Sequence, residues 1–418
     1  MAIESGWQRR FFTVWIGQAF SLFGSSLASF ALIWWITQKT GSATVLAIGT
    51  LITMLPGIFI GPFMGSLVDR WDRRMIMIVA DLVGALAAAG LALLFWSGQI
   101  EVWHIYTAMF IRSIAGGFHF PAMQASTSLM VPDDQLTRIA GFNQALQGAS
   151  AIVAPALGAL LITLLPFEGI MAIDIVTALI AVAAVISIVI PNPVRENQSA
   201  LSVRAVLQDT AAGLQYIWSW TGLRNIMIIA TVLNLLLTPA FSLLPILVTR
   251  HFQRGAAELA AIEAAFGFGM IMGSIVLGVW GGFKRRIMTS ILGLSGLATG
   301  TLLMGLAPAS LFTMALVGML ITGITQPFTN GPVFAIVQSL VRPDMQGRVF
   351  TVIGSLSVAV APLGLLVAGP LADRFGVQLF YVTGGILTSL LMLTCLLMPS
   401  IRNIEAEHAE RELLTANA

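Results

Sequence analysis

Two apolar runs, residues 44–67 and 75–96, flank a short island that carries Asp69, Arg70, Asp72, Arg73 and Arg74. Each run has about 20 residues of mostly apolar character, enough to cross a hydrocarbon core as a helix. Their only economical arrangement is a tight hairpin whose tip lies at a membrane face. The arginines place that tip on the cytoplasmic side, because basic residues in short loops stay inside.

The rest of the chain obeys the same rule. Of its 418 residues, 57% are hydrophobic and 10% are charged, far from the roughly 25% charge of a soluble domain. The chain therefore reads as an all-α integral membrane protein. Pro, Gly and charge clusters mark twelve expected spans, near residues 11–36, 44–67, 75–97, 103–130, 138–165, 169–190, 223–249, 257–281, 287–307, 310–341, 347–370 and 378–399. Arg9 and Arg10 precede a run too long for a signal-peptide core and without an Ala-x-Ala exit, so that run is expected to be the first span. No lipidation or retention signal is expected at either end.

Charge distribution sets the expected topology. With both termini cytoplasmic, the outer loops hold Lys39, Arg250, Arg254 and Arg374, Arg112 lies within a span, and the other 16 of the 21 Lys and Arg residues fall inside. A bacterial plasma or inner membrane is the expected location. The net charge of +2 is spread over short loops, so it reads as a topology signal and no nucleic-acid partner is expected. Cys395 is the single cysteine and lies in an apolar run, which excludes an intrachain disulfide and any CxxC metal or redox motif. No cofactor is expected.

A polar interruption at residues 191–225 divides the spans six and six. The expected division is an N-terminal bundle at 1–190, a cytoplasmic connector with an amphipathic helix at 191–221, a C-terminal bundle at 222–400 and a cytoplasmic tail at 401–418. Within the connector, Arg204, Gln208 and Asp209 alternate with Val206, Leu207, Leu214, Ile217 and Trp218, the pattern of a helix lying on the inner membrane surface. The halves also repeat in sequence. Residues 128–138, with Pro132, Asp133 and Arg138, are echoed by residues 339–348, with Pro343, Asp344 and Arg348; Pro121 pairs with Pro327, and Ala154-Pro155 with Ala361-Pro362. Such repeats imply two pseudo-symmetric six-helix bundles joined at a central cavity. One such chain can work alone, so a monomer is expected. The second copy of the charged hairpin, residues 278–286, keeps Lys284, Arg285 and Arg286 but has no acidic residue.

Charges inside a bilayer are costly and mark functional candidates. Four qualify: Asp81, Arg112, Asp174 and Glu263. Arg112 is about 9 residues, roughly 13 Å, from the outer end of its span; it keeps its charge at any ordinary pH and needs a carboxylate, carbonyls or water beside it. It either couples protons or pairs helices. Glu263 and Asp81 each lie about seven residues inside a span end, and each reads as a proton site or a structural ion pair. Asp174 is shallower and is expected to snorkel to the outer interface. His119, near Pro121, is expected to be a hydrogen-bonded packing histidine. Polar positions that can line a substrate cavity are Gln18, Ser21 and Ser25 on the first span, Gln124 on the fourth, Asn143, Gln144 and Gln147 on the fifth, and Asn234, Gln326 and Asn330 in the second half. A cavity so weakly polar suits amphipathic organic compounds better than sugars or phosphates. Gly65, Gly141, Pro155 and Gly158 are expected at close helix contacts, with Gly57, Gly61, Gly269 and Gly273 in similar packing roles.

Several of these patterns resemble those of the major facilitator superfamily. Gly65, Leu67, Asp69, Arg70, Arg73 and Arg74 match its loop between helices 2 and 3, roughly Gly-x-Leu-Ala-Asp-Arg-x-Gly-Arg-Lys, with Asp72 in place of the usual glycine. Arg112-x-x-x-Gly116-Gly117 resembles the helix 4 motif, whose arginine is linked to proton coupling. Gly141, Ser150, Ala154-Pro155, Gly158 and Ala159 follow the spacing of the antiporter motif, with three of its glycines replaced by Ser or Ala. The opening Trp7-Gln8-Arg9-Arg10-Phe11, Trp15-Ile16-Gly17-Gln18-Ala19 and Lys39-Thr40-Gly41-Ser42-Ala43 are similar to macrolide-efflux drug:proton antiporters. The resemblance implies a twelve-helix secondary transporter that exports a hydrophobic compound against proton entry, a multidrug-efflux role tied to antibiotic resistance. It also implies a cytoplasmic gate in which Asp69, with Arg70 and Arg73, meets the helix that carries Gln346, Gly347 and Arg348. Export of an endogenous siderophore or lipid is the alternative. An enzyme is not expected, since the histidines at 104, 119, 251 and 408 are scattered, and no phosphate-binding Gly-x-x-x-x-Gly-Lys loop is present.

Overall fold

The computed structural model describes residues 6–68, 71–190 and 203–405, and these are helical throughout, with no strand among them. The order is α1 (Trp7–Thr40), α2 (Ala43–Phe59), α3 (Gly61–Val68), α4 (Arg73–Trp96), α5 (Val102–Met130), α6 (Leu136–Leu164), α7 (Phe167–Ser187), α8 (Val203–Trp218), α9 (Thr221–Ser242), α10 (Leu244–Ile246), α11 (Ala256–Trp280), α12 (Arg286–Leu306), α13 (Phe312–Leu340), α14 (Pro343–Ala359), α15 (Ala361–Phe375), α16 (Gln378–Leu397) and α17 (Pro399–Arg402). Among the described residues, ten helical segments are long and apolar enough to cross a membrane. Two expected spans fall outside that set. The second is divided, leaving α2 with only 17 residues, and the fourth, α5, interrupts its apolar run with His104, Arg112, His119 and Gln124.

Prolines explain where expected spans break. Pro62 and Pro362 each lie just inside a helix that restarts after a one-residue interruption, at Ile60 and Val360. Proline lacks the backbone N–H that would bond the carbonyl four residues back, which weakens the ladder at these two points. The seventh expected span likewise divides: Pro239 and Pro245 precede a π-helical turn, Leu247–His251.

The helices gather into two units. The first comprises the described residues of Met1–Thr40 and Ile48–Ser202; the second comprises those of Gly41–Ala47 and Val203–Ala418. In the first, α1 and α4 both pack along α7, and α5 packs on α4. Gly17 and Gly24, seven residues apart on α1, permit this. A Cβ on Gly17 would stand 2.6 Å from Ala184 Cβ, and one on Gly24 would lie 3.3 Å from Asp174 Cα. Phe11, Val14, Met77, Ala122, Ile139 and Val185 form the core near one end of this unit. In the second unit, α12 is sandwiched by α13 and α16, and Ile217, Leu223, Ile336, Val349, Val352 and Ile401 form a shared core. The expected amphipathic helix is α8, whose Ile217 is buried in that core while Trp218 remains exposed; residues 191–202 of the expected connector lie outside the described residues.

Acidic side chains fix three helix starts. Asp72 caps α4, accepting from the backbone N–H groups of Arg74 at 2.9 Å and Met75 at 3.3 Å, which accounts for an aspartate where the resembling motif has glycine. In the second unit, Glu405 accepts from the N–H of Arg286 at 3.3 Å, so the acidic group missing from residues 278–286 is supplied by a distant residue. Asp373, on α15, caps α2. It accepts from Ala43 N and Thr44 N at 2.9 Å each and from the hydroxyls of Ser42 and Thr44, while pairing with Arg250 at 3.1 Å. This cap holds residues 41–47 within the second unit.

Several packing expectations need correction. A Cβ on Gly57, Gly61 or Gly141 would meet nothing within 4 Å, so these glycines make no close helix contact. Gly158 does: its Cβ would stand 2.7 Å from Phe30 Cδ1. Gly269 also lies at a tight crossing, where a Cβ would be 3.0 Å from Gly323 Cα. Pro155 is buried inside α6, and Gly65 lies within α3.

Replacing Asp72 with Ala should destabilise the protein by about 1 kcal/mol, the usual cost of losing a side-chain cap, whereas Asp72→Asn should retain most of the stability. Thermal unfolding of the purified variants in detergent measures both.

Candidate functional site

The interior of the first unit contains polar groups that its apolar helices would otherwise exclude. On α1, Gln18, Ser21 and Ser25 follow a spacing of three and four and therefore share one face. On α5, Arg112 and His119 are seven residues apart, about two turns, and also share a face. Asp81 on α4 and Asp174 on α7 meet these two stripes at different levels.

At one level, Arg112 Nη1 forms an ion pair with Asp174 Oδ2, and Ser25 Oγ donates to Asp174 Oδ1 at 3.0 Å. The side chains are 15% and 2% exposed, respectively. Asp174 is thus a buried partner of Arg112, correcting the expectation that it snorkels outward. The sequence reading placed it near a span end, but the close approach of α7 to α1 encloses it. Desolvation makes an unpaired charge here very costly, so each group depends on the other.

At the other level, Gln18 Nε2 donates to Asp81 Oδ2 at 2.9 Å and Ser21 Oγ to Asp81 Oδ1 at 3.2 Å. His119 Nε2 lies 3.6 Å from Asp81 Oδ2. That separation is too long for a hydrogen bond, and Nε2 is buried without another partner among the described residues. His119 is therefore not the hydrogen-bonded packing histidine expected from sequence.

The remaining candidates have different surroundings. Gln18, Ser21 and Ser25, expected along a substrate cavity, direct their donors to the two carboxylates. Asn143 Oδ1 accepts from Trp15 Nε1 at 2.7 Å, while Phe142 stands edge-on to Trp15 and Phe12. Gln124, Gln144 and Gln147 are exposed. In the second unit, Asn234 donates to Ala230 O at 3.0 Å, Gln326 is half-buried and Asn330 is exposed. Glu263 is half-buried on α11 and makes no hydrogen bond or ion pair with another described residue, so the structural ion-pair reading finds no partner there.

Of the expected gate residues, Asp69 and Arg70 lie outside the described residues. Arg73 is buried, and its Nη1 donates to Ala125 O on α5 at 3.0 Å. Its neighbour Arg74 donates to Val185 O at 3.1 Å and to Ile186 O, neutralising carbonyls at the end of α7. Arg348 is exposed and approaches Met345 Sδ at 3.7 Å. A mostly apolar groove of about 380 Å³ lies beside α4 and α5, lined by Trp71, Asp72, Met75, Val79, Ile111 and Phe118, with Trp71 stacked on Phe118.

Helices of membrane-crossing length, with few charged residues inside them, define a multi-pass membrane protein. The family follows from comparison with known proteins: the Major Facilitator Superfamily model matches residues 14–365. The chain belongs to that superfamily. It is 34% identical over 401 residues to macrolide efflux protein A of Streptococcus pyogenes, covering 96% of this chain and 98% of that protein. It is 27% identical to the multidrug efflux pump Tap of Mycobacterium tuberculosis, covering 91% of each. Among solved structures, the nucleoside transporter NupG superposes with a TM-score of 0.72 at 13% identity, over 93% of this chain and 98% of that one. A bacterial homologue of the iron transporter ferroportin gives 0.68 at 12% identity, over 92% and 98%. At such identities these structures share the fold alone.

Removing either partner of the Arg112–Asp174 pair should cost about 3–5 kcal/mol by stranding a buried charge. The double replacement Arg112→Leu/Asp174→Leu should be less destabilised than the sum of its single changes. Unfolding of the four proteins in mixed detergent micelles gives the cycle.

Proposed function

We propose that this protein is a secondary active transporter that exports amphipathic organic compounds, of the drug or macrolide kind, in exchange for protons. The observation that carries the substrate class is the likeness to macrolide efflux protein A across 96% of the chain. The mostly apolar groove beside α4 and α5 accords with compounds that partition into the bilayer before capture. Coupling draws its support from the interior charges, since a fixed cation and carboxylates in an apolar unit provide groups whose energy depends strongly on protonation.

In this reading the chain has twelve spans in two six-helix bundles, N-terminal at 1–190 and C-terminal at 222–400, with the connector and both termini in the cytoplasm of a bacterial cell. It acts as a monomer, by alternating access. Arg112, Asp81 and Glu263 serve proton coupling. Arg112 is paired with Asp174, while Glu263, without an ion-pair partner among the described residues, can take a proton without first breaking one. Asp69, Arg70, Arg73 and Arg348 serve the cytoplasmic gate; the bond from Arg73 to Ala125 O gives Arg73 the task of fixing the hairpin to α5. Gln124, Asn143, Gln147, Asn234, Gln326 and Asn330 contact substrate. Gln18, Ser21 and Ser25 act on substrate indirectly, by orienting the two carboxylates.

Everted membrane vesicles test this reading with a panel of cationic dyes and macrolides. Wild type should concentrate at least one member when the lumen is acidified, and a protonophore should abolish that uptake. Arg112→Ala and Glu263→Gln should each reduce gradient-driven uptake about tenfold or more. Uptake indifferent to the protonophore would overturn proton coupling, and failure to transport any member would overturn the substrate class.

A further inference from the structure

We propose that Asp81 and His119 form a one-proton site inside the first unit, loaded and emptied once in each transport cycle, with His119 Nε2 as the atom that takes the proton. The proposal rests on the proton-coupled reading above and assigns its proton to a particular pair.

The charge around Asp81 is incomplete. Its side chain is 8% exposed, and its two hydrogen-bond donors, Gln18 and Ser21, are neutral. A buried carboxylate so placed needs either a proton or a nearby cation. The interior arginine does not supply one, because Arg112 is paired with Asp174. His119 is the group that faces the gap: its Nε2 lies 3.6 Å from Asp81 Oδ2, buried and without a hydrogen bond.

One proton resolves both deficits. Neutral His119 opposite ionised Asp81 gives a pair of charge −1. Adding H⁺ to Nε2 gives an imidazolium opposite a carboxylate, net charge zero, and converts the 3.6 Å contact into a charge-assisted hydrogen bond of about 2.8 Å. Loss of the proton reverses this and leaves Asp81 held by Gln18 and Ser21 alone. The pair joins α4, α5 and α1, so proton occupancy changes how three helices are tied together. This is the kind of local change that can bias two conformations of a unit.

The surrounding ionisable groups leave the pair electrically distinct. On α1, Arg9, Arg10 and Lys39 lie at the helix ends, and on α4, Arg73 and Arg74 lie at its start. On α5, His104 and Tyr106 lie near the start, beside the capping Glu101, and Arg112 is two turns away. On α7, Glu168 lies in the first turn and Asp174 is held by Arg112; on α6, Arg138 lies near the start. The segment α3 brings no titratable residue.

The chain has four histidines, so ring ¹³C labelling with His119→Gln identifies the His119 resonance in the full-length protein in micelles. The His119 resonance should respond to pH, and Asp81→Asn should alter that response. A His119 resonance that does not respond to pH, or a response unchanged by Asp81→Asn, overturns the proposal. In ethidium uptake by everted vesicles, His119→Gln should lose the response to a proton gradient that wild type shows; an equal response in both also overturns it. If wild-type uptake of every panel member ignores the gradient, the coupled-transport reading fails and the cycle role fails with it. The titration then decides whether the pair binds a proton at all.

Discussion

The costliest feature of this protein is the set of charges it keeps inside an apolar unit, and the surrounding structure is arranged to hold them. Arg112 is tolerable because Asp174 faces it, and Asp174 is enclosed because α7 packs tightly on α1. That approach depends on Gly17 and Gly24, where a Cβ would collide with Ala184 and with Thr177. Thus two residues with no chemistry of their own position a charge pair on other helices. The same α1 face presents Gln18, Ser21 and Ser25, which orient both carboxylates.

Helix ends form a second tier of control. Asp72, Glu405 and Asp373 each satisfy backbone N–H groups that a helix start leaves open, but they differ in reach. Asp72 acts within its own turn, whereas Glu405 and Asp373 act across more than a hundred residues of sequence. The Asp373 cap is notable because α2 begins among residues grouped with the second unit and continues among those of the first.

Much of this was legible in the sequence because the membrane imposes strong rules. The hydrophobic runs, the charged hairpin, the family resemblance and the interior charges Asp81, Arg112 and Asp174 all follow from patterns that hydrocarbon tolerates poorly or well. Partners were harder to read. Asp174 was misplaced because depth along a helix says nothing about which neighbour covers it. His119 looked like a packing residue because sequence cannot show that its Nε2 lacks a hydrogen bond. The spacing of Gly17 and Gly24 was a usable signal for close packing, while Gly141 carried a similar signal and has open space instead. Pro62 and Pro362 were a usable signal for the breaks at Ile60 and Val360, since proline removes a bond from the helical ladder, but Pro155 carries the same signal and sits inside an unbroken α6.

The central claim is an exchange of substrate for protons, with proton occupancy governed by the polar interior of the first unit. Purified protein in vesicles loaded with a pH-sensitive dye and with a transported, permanently charged member of the dye panel tests it directly. Diluting these vesicles into substrate-free buffer should acidify the lumen as substrate leaves, faster than in protein-free vesicles. Substrate efflux through the protein with no accompanying proton movement would contradict the account.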